Sequence, residues 1–99
     1  MKIYELKFLV DALKEWNKLD KSIQTQFKRK LAERLENPHV PSARLSGDLV
    51  NCYKIKLSAL GYRLVYRVED SVITVTVISV GKRERAAVYA RAMERLREG

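Results

Sequence analysis

Four cations lie close together in the stretch NCYKIKLSALGYRLVYRV at residues 51–68, and no acidic residue lies among them. They are Lys54, Lys56, Arg63 and Arg67. Lysine and arginine clustered on one face of a protein are typical of nucleic-acid binding, because they neutralise backbone phosphates. The stretch therefore indicates an anion-binding site, provided that the four side chains share one face.

The apolar pattern of this stretch predicts two β-strands joined by a four-residue turn at SALG. With this turn Leu57 pairs with Tyr62, and counting back pairs Lys56 with Arg63. Side chains alternate between the two faces of a sheet. All four cations are therefore predicted on one face and the apolar residues on the other.

The pairing of Lys56 with Arg63 gives the fold no benefit, because like charges that face each other in a sheet destabilise it by up to about 1 kcal/mol. A solvated outer face would also explain the cations. However, few uncharged residues are predicted between them, which favours a shallow basic surface that binds an anion. Those residues are Val65, Thr74 and Thr76.

A second group of candidate residues follows the last predicted strand, in VISVGKRERAAVYARA. Gly81 permits a tight turn there. Three more cations come directly after it: Lys82, Arg83 and Arg85. Tyr89 lies six residues after Arg83, just under two helical turns on. Tyrosines also pack helices against a core, so this position leaves the role of Tyr89 open.

The single cysteine and the single histidine are interpreted as structural residues. They cannot build a disulfide framework, or a zinc site with the usual ligands, within one chain. Cys52 lies in a predicted strand with no histidine placed to activate it, and His39 lies in a loop between Pro38 and Pro41. We therefore expect no cofactor.

The composition favours one globular domain with a polyanionic partner. The 99 residues suffice for one packed core and not for two. Twenty Lys and Arg against twelve Asp and Glu give a net charge of +8, which attracts polyanions. No apolar run approaches the ~20 residues of a membrane span, and the alternating N-terminal segment indicates a strand rather than a signal peptide. We expect a cytoplasmic protein.

The elements that must position the candidate residues can be predicted from periodicity. Helices are expected at residues 11–19, at residues 21–37 and within residues 82–99. Leu13 and Trp16 are the predicted core residues of the first helix, with Ala12 as a further candidate. In the other two the apolar residues recur every four positions: Ile23, Phe27, Leu31 and Leu35, then Val88, Ala92 and Leu96.

Alternation predicts a first strand at residues 2–8, with Ile3, Leu6 and Phe8 in the core, and three more at about 51–57, 62–68 and 72–80. A two-residue turn at Asp70 and Ser71 would join the last two. The order β-α-α-β-β-β-α predicts an α+β fold, in which helices pack on one face of a small antiparallel-rich sheet.

Three segments closely resemble the RelE toxins of type II toxin-antitoxin modules: CYKIKLSALGYRLVYRVED, VISVGKRERAAVYARA and ALKEWNKLD. The resemblance covers nearly the whole chain and implies a single RelE-like toxin domain at residues 1–99, of the RelE/ParE superfamily. It implies an enzyme that cleaves messenger RNA in the A site of the ribosome, without metal, until a cognate RelB-like antitoxin neutralises it. The implied partners are the ribosome with bound mRNA, ribosomal RNA and the antitoxin, with no membrane.

The same resemblance implies an active site of five residues: Lys54, Lys56, Arg63, Arg83 and Tyr89. Six further residues would contact RNA: Arg44, Arg67, Lys82, Arg85, Lys28 and Arg29. Family members often carry an arginine just before the glycine of the loop that precedes this sheet, where this chain has Ser46. The neighbouring Arg44 is the candidate replacement.

Metal-free RNA cleavage requires a base for the ribose 2′-OH, cations for the phosphorane-like transition state and an acid for the leaving 5′-oxygen. Neighbouring positive charges lower the pKa of a lysine, so a lysine among cations can accept a proton while the arginines hold the phosphate. Arg63 and one lysine are assigned to the transition state. The other lysine or Tyr89 would be the base, and Arg83 or a lysine the acid.

Two other functions remain open. ParE toxins share this architecture and inhibit DNA gyrase without being nucleases, so the fold alone does not decide. ParE proteins generally lack the paired strand lysines together with the tyrosine of the last helix, which favours RelE. The third possibility is a non-catalytic nucleic-acid-binding module, for which the basic composition would suffice.

Overall fold

The computed structural model describes residues 3–45, 47, 49–57, 61–82 and 87–98, with residue 98 described in its backbone only. Within these residues the chain forms four strands and three α-helices. They are β1 (Glu5–Phe8), α1 (Val10–Asn17), α2 (Lys21–Glu36), β2 (Cys52–Leu57), β3 (Tyr62–Glu69), β4 (Thr74–Lys82) and α3 (Ala87–Glu98). The predicted α+β class and order of elements are confirmed. No helix in the described part of the chain is both long and apolar enough to cross a membrane.

The four described strands form one sheet in the order β1-β4-β3-β2. β1 runs parallel to β4, and the other neighbours are antiparallel. The antiparallel-rich sheet is therefore also confirmed. β4 lies inside the sheet, and its side chains are buried from Thr74 to Val80, as expected for a long β-branched strand.

The predicted register between β2 and β3 is confirmed. Leu57 pairs with Tyr62, and Lys56 pairs with Arg63. The first three residues of the SALG turn, at positions 58–60, lie outside the described residues.

The predicted turn between β3 and β4 is wrong. A 3₁₀ turn covers Asp70–Val72, and Ile73 follows in the left-handed region with φ 49°. Val68 consequently pairs with Val75 and not with Ile73. Because this shift is two residues, Val75 and Val77 stay on the predicted apolar face.

A β-bulge in β4 separates two registers with β3. Tyr66 pairs with Val77 and Val65 pairs with Ser79, so Ile78 is an additional residue on β4. As a result Arg63 lies opposite Gly81, whereas uninterrupted pairing would place Val80 there. The sequence analysis did not predict this bulge.

Both faces of the sheet are covered, each by its own apolar cluster. The helices α1 and α2 pack on one face through Trp16, Phe27 and Leu31, against strand residues that include Ile55, Leu64 and Tyr66. On the opposite face the clustered residues are Leu49, Cys52, Val65, Ile78, Val88 and Ala92. The prediction that the helices share one face therefore holds for α1 and α2 and is wrong for α3.

The position of α3 changes the expected basic surface. Val65, Thr74 and Thr76 were expected on an open face, yet all three are buried. The alternation analysis assigned one apolar face to the sheet. It overlooked that Val65 and Ile78 form a second one, which the apolar stripe of α3 covers.

Two predicted core residues are exposed. Ile3 is 64% exposed and Leu13 is 44% exposed. Ile3 precedes the strand, and the alternating residues that pack on the core are instead Tyr4, Leu6 and Phe8. Leu13 lies on a short helix that buries only Ala12 and Trp16.

Candidate active site

A row of three residues crosses the sheet on the face that carries α3. Lys56 on β2 pairs with Arg63 on β3, which pairs with Gly81 on β4. Directly opposed Cβ atoms in an antiparallel pair lie roughly 4.5–5.5 Å apart. The Cβ atoms of Lys56 and Arg63 are therefore neighbours in this register. Gly81, which has no side chain, lies on the other side of Arg63.

A second row lies two residues further along the strands on the same face. It consists of Lys54, Val65 and Ser79. Helix α3 begins over this row, because the Ser79 Oγ donates a hydrogen bond to the Val88 carbonyl oxygen at 2.8 Å. The side chain of Tyr89 follows Val88 and packs, half-buried, against the apolar cluster of this face. Lys54, Lys56, Arg63 and Tyr89 thus share one face.

Among the predicted cations that the structure describes, Arg63 is the least exposed, at 8%. Its Nη1 donates a hydrogen bond to the carbonyl oxygen of Tyr62 at 3.1 Å. Among the residues that the structure describes, it forms no ion pair. A buried charge without a counter-charge is destabilising. An anion bound here would supply the negative charge that the described residues do not provide.

Lys54 and Lys56 also border a basic pocket of ≈ 280 Å³ at the outer edge of β2. Its lining residues are Lys30, Arg34, Ser42, Ala43, Lys54 and Lys56, without an acidic residue. Arg34 has a structural task, since its Nη1 donates to the Lys54 carbonyl oxygen at 3.1 Å and to the Tyr66 hydroxyl at 2.9 Å. Sequence reasoning missed Lys30 and Arg34 here, although they lie one turn apart on α2.

The other predicted site residues are placed more widely. Arg83 and Arg85 lie outside the described residues, as does Ser46. Lys82 is exposed at the end of β4, opposite Tyr62. Arg67 shares the face of Arg63 and forms an ion pair with Glu69 at 3.1 Å, so its charge is partly neutralised.

Arg44 is exposed beside β2, where it forms an isolated antiparallel bridge with Tyr53. Lys28 and Arg29 are exposed on α2. Because α2 covers the other face of the sheet, these two cations lie away from the row of Arg63. Lys28 instead borders an apolar groove that includes Leu6 and Trp16.

Cys52 and His39 take structural positions. Burial raises the pKa of the Cys52 thiol to about 11, although the charge of Arg67 opposes the shift. The ring of His39 lies 2.8 Å from the Tyr53 hydroxyl through Nδ1 and 2.9 Å from Asp70 Oδ1 through Nε2. It thereby links the loop after α2 to β2 and to the β3–β4 turn. In the described ranges, no group of three or more His, Cys, Asp or Glu side chains could hold a metal ion.

Comparison with known proteins connects this arrangement to a family. A family model described as ParE toxin of type II toxin-antitoxin system, parDE, matches residues 6–87. A RelE-like toxin protein of Escherichia coli is 57% identical over 94 residues, which cover 95% of this chain and 98% of the relative. The mRNA interferase toxin RelE of Escherichia coli strain K12 is 52% identical over 93 residues, covering 94% of this chain and 97% of the relative.

Solved structures agree with the sequence relatives. A free E. coli RelE toxin with two arginine-to-alanine changes matches with a TM-score of 0.87 at 49% identity, covering 95% of this chain and 98% of that chain. A chain of the intact E. coli RelBE toxin-antitoxin complex matches with a TM-score of 0.79 at 52% identity, covering 83% of this chain and 99% of that chain. By sequence and by fold, the protein belongs to the RelE/ParE family of type II toxins.

Proposed function

We propose that this protein is a ribosome-dependent endoribonuclease that cleaves mRNA in the ribosomal A site, and that residues 1–99 act as one toxin domain. The observation that carries the proposal is the shared face of Lys54, Lys56, Arg63 and Tyr89. It is supported by 52% identity to a protein named mRNA interferase toxin RelE. Blocked translation and growth arrest would follow from the cleavage.

The proposed reaction is a transesterification within the RNA. The ribose 2′-oxygen attacks the adjacent phosphorus, forming the O2′–P bond, while the bond between phosphorus and the 5′-oxygen breaks. A base takes the proton of the 2′-OH, and an acid gives a proton to the 5′-oxygen. The products are a 2′,3′-cyclic phosphate and a 5′-hydroxyl end, so the reaction needs no metal, water or other co-reactant.

Arg63 is the residue best placed to hold the phosphate, since its charge lacks a counter-ion among the described residues. A fixed guanidinium stabilises the additional negative charge of the transition state without reorganisation. On β2, Lys56 lies opposite Arg63 and Lys54 lies two residues away, and one of these lysines would share this task. The other lysine or Tyr89 would act as the base, and Arg83 or a lysine would protonate the leaving oxygen.

The ribosome would orient the mRNA against these side chains, which cannot position it by themselves. None of the proposed residues is a histidine, the usual acid and base of metal-free RNA cleavage. Positioning of a substrate can contribute several kcal/mol to lowering a barrier. Naked RNA should therefore be cut poorly, and RNA bound in the A site should be cut efficiently.

The decisive experiment adds the purified protein to ribosomes that translate a defined mRNA and maps the new RNA ends. The expected result is cleavage within A-site codons that is lost in the Lys56→Ala/Arg63→Ala double variant, with the fold retained by circular dichroism. Cleavage that persists in the double variant would show that the site is assigned to the wrong residues. Absence of A-site cleavage by the natural chain would disprove the function.

A second candidate function is inhibition of DNA gyrase, because the matching family model is described by the name ParE. In that case the protein would leave mRNA intact and generate gyrase-linked DNA breaks. The same preparation is therefore incubated with gyrase and supercoiled plasmid. Breaks without codon cleavage would favour the gyrase inhibitor.

The proposed partner is a RelB-like antitoxin, since a solved structure of a relative is a RelBE toxin-antitoxin complex. An acidic or amphipathic segment would fit the net charge of +8 by covering the basic face or displacing α3. Ribosomes would place the activity in the cytoplasm. Coexpression of the cognate antitoxin should restore growth.

A further inference from the structure

We propose that Arg91 is a second phosphate-binding residue beside Arg63, held near the sheet by Glu15 and admitted by Gly81. The inference rests on the proposed RNA cleavage, and it adds a contact that the strand cations do not provide. It begins from helix α3. Val88, Arg91, Ala92 and Arg95 follow the spacing of one helical face, and Val88 and Ala92 are buried against the sheet.

Gly81 lets the guanidinium of Arg91 approach the sheet. A Cβ atom added to Gly81 would lie 2.9 Å from Arg91 Nη2, a distance that real side chains do not tolerate. Gly81 itself lies directly opposite Arg63 on the face that α3 covers. Since opposed Cβ positions are roughly 5 Å apart, Arg91 Nη2 approaches β4 next to the position where the Arg63 side chain begins.

Glu15 on α1 lies beside the Arg91 guanidinium. Its Oε2 is 2.7 Å from Arg91 Nε, an ion pair by distance, although Nε has no hydrogen-bond partner among the described residues. Nε and the Nη2 near Gly81 lie on one edge of the planar group. The carboxylate therefore keeps the guanidinium close to Gly81, and Nη1 lies away from that edge, where a ligand would bind.

Arg91 and Arg95 share one carboxylate. Glu15 also binds Arg95, with 2.8 Å between Oε1 and Nη1 and 3.1 Å between Oε2 and Nη2. Arg95 donates a further hydrogen bond from Nη1 to the Ile78 carbonyl oxygen at 2.8 Å. The charges of Asp11 and Glu94 also act on Arg95, so Arg95 has a structural role and is well compensated. Arg91 shares the Glu15 carboxylate with it and has no other ion pair among the described residues.

Arg63 contributes the complementary observation. It is 8% exposed and has no ion pair within the described residues. Arg63 begins opposite Gly81 on β3, and Arg91 reaches Gly81 from α3. We infer that the two arginines bind different oxygens of one phosphate, as guanidinium groups commonly do.

The test compares the natural protein with Arg91→Gln and with Lys14→Gln, a matched loss of one exposed charge on α1. Single-turnover cleavage on programmed ribosomes should fall about 10- to 100-fold in Arg91→Gln, the range for losing one hydrogen bond to a charged group. It should not change in Lys14→Gln.

Binding of a short fluorescent RNA supplies the second readout. The slope of log Kd against log[KCl] should fall by about 0.7 in Arg91→Gln, as for one lost phosphate contact.

Gly81→Ala provides a second route to the same question, in case Arg91→Gln lowers stability. Its Cβ displaces only the flexible tip of Arg91, so the fold should persist while cleavage falls. The double variant Gly81→Ala/Arg91→Gln should be no slower than Arg91→Gln alone, because both changes remove one contact.

Unchanged cleavage in Arg91→Gln, or a loss of melting temperature with an unchanged salt slope, would overturn the inference and leave Arg91 a structural residue. Independent, additive effects of the two changes would also overturn it. An inactive natural protein would instead disprove the proposed nuclease function itself.

Discussion

Arg63 combines three properties that rarely occur together in one arginine: a strand position, burial and the absence of a carboxylate partner among the described residues. Lys56 faces it across the ladder, which adds repulsion to the cost of burial. A residue that stabilised the fold would not be expected in such surroundings. The arrangement is better explained by a ligand that brings the missing negative charge.

Replacement of Arg63 by glutamine should separate its role in stability from its role in activity. We expect the free energy of unfolding to stay equal or to rise by about 1 kcal/mol, because a buried charge and its repulsion from Lys56 are removed. Cleavage on the ribosome should fall at least about 100-fold. Urea denaturation and single-turnover cleavage measure the two effects. A large loss of stability would show that Arg63 holds the sheet together.

Cys52 gives a prediction for pH. Its thiol ionises near pH 9.0 in the unfolded chain, and burial raises the pKa to about 11 in the folded protein. Between these values the unfolded chain releases a proton that the folded protein retains, so stability is complete below pH 9 and declines toward pH 11.

The measurement compares urea unfolding of the natural protein and of Cys52→Ala from pH 7 to pH 10.5. The natural protein should start with the higher stability and should lose it more steeply above pH 9, by up to about 1.4 kcal/mol per pH unit. The difference isolates the thiol from tyrosines, which ionise in the same range. Parallel curves would contradict the assignment.

At the scale of elements, the principal feature is the attachment of α3 to α1 and β4. Strand β1 ends at Phe8, and Leu9 still donates its N–H to the Val77 carbonyl oxygen at 3.1 Å. Beyond that point, side chains instead of a strand form hydrogen bonds with the backbone of β4. Arg95 donates to the Ile78 carbonyl oxygen, and Glu15 accepts the Val80 N–H at 3.3 Å. Backbone groups at this edge of β4 are thus hydrogen-bonded to Glu15 and Arg95, the two residues whose ion pair attaches α3 to α1.

Replacement of Glu15 by glutamine should therefore loosen α3. Glu15 is 19% exposed and Arg95 is 15% exposed, so the ion pair is well shielded from water. Removing the carboxylate charge leaves two arginines together, and the free energy of unfolding should fall by about 2–3 kcal/mol. Glu33→Gln, on the exposed side of α2, is the matched control. Equal losses in both variants would exclude a specific role for the ion pairs.

At the scale of the whole molecule, the charge of +8 includes four described cations of β2 and β3 on the proposed active face of the sheet, of which Arg67 is paired with Glu69. If Lys54, Lys56 and Arg63 each neutralise one phosphate, the binding of single-stranded RNA should weaken with salt. These three contacts give a slope of log K against log[KCl] of about −2, and the proposed contact of Arg91 brings it to about −3. Lys54→Gln should reduce the size of the slope by about 0.7. Fluorescence anisotropy at several KCl concentrations measures this. A slope near zero would show that binding does not involve these charges.

Much of this arrangement can be predicted from local pattern, because the β2–β3 hairpin has a short turn and strict alternation. The pairing of Lys56 with Arg63 follows from this hairpin. The apolar stripes of α2 and α3 follow from the helical period of their own sequences. Contacts between residues that are distant in sequence cannot be predicted from local pattern. Glu15 meets Arg95 across 80 positions of sequence, and no periodicity relates the two. The side of the sheet on which α3 packs was missed for the same reason.

The bulge at Ile78 has a further consequence for how the chain can change during evolution. It adds one residue to β4 between the partners of Tyr66 and Val65. Deletion of Ile78 would let Ser79 follow Val77 directly and would keep Gly81 opposite Arg63, so every other pair of the ladder could remain. The buried side chain in the cluster under α3 would be lost. Evolution could therefore remove or restore this residue, and with it part of the packing of α3, without changing which residue faces Arg63.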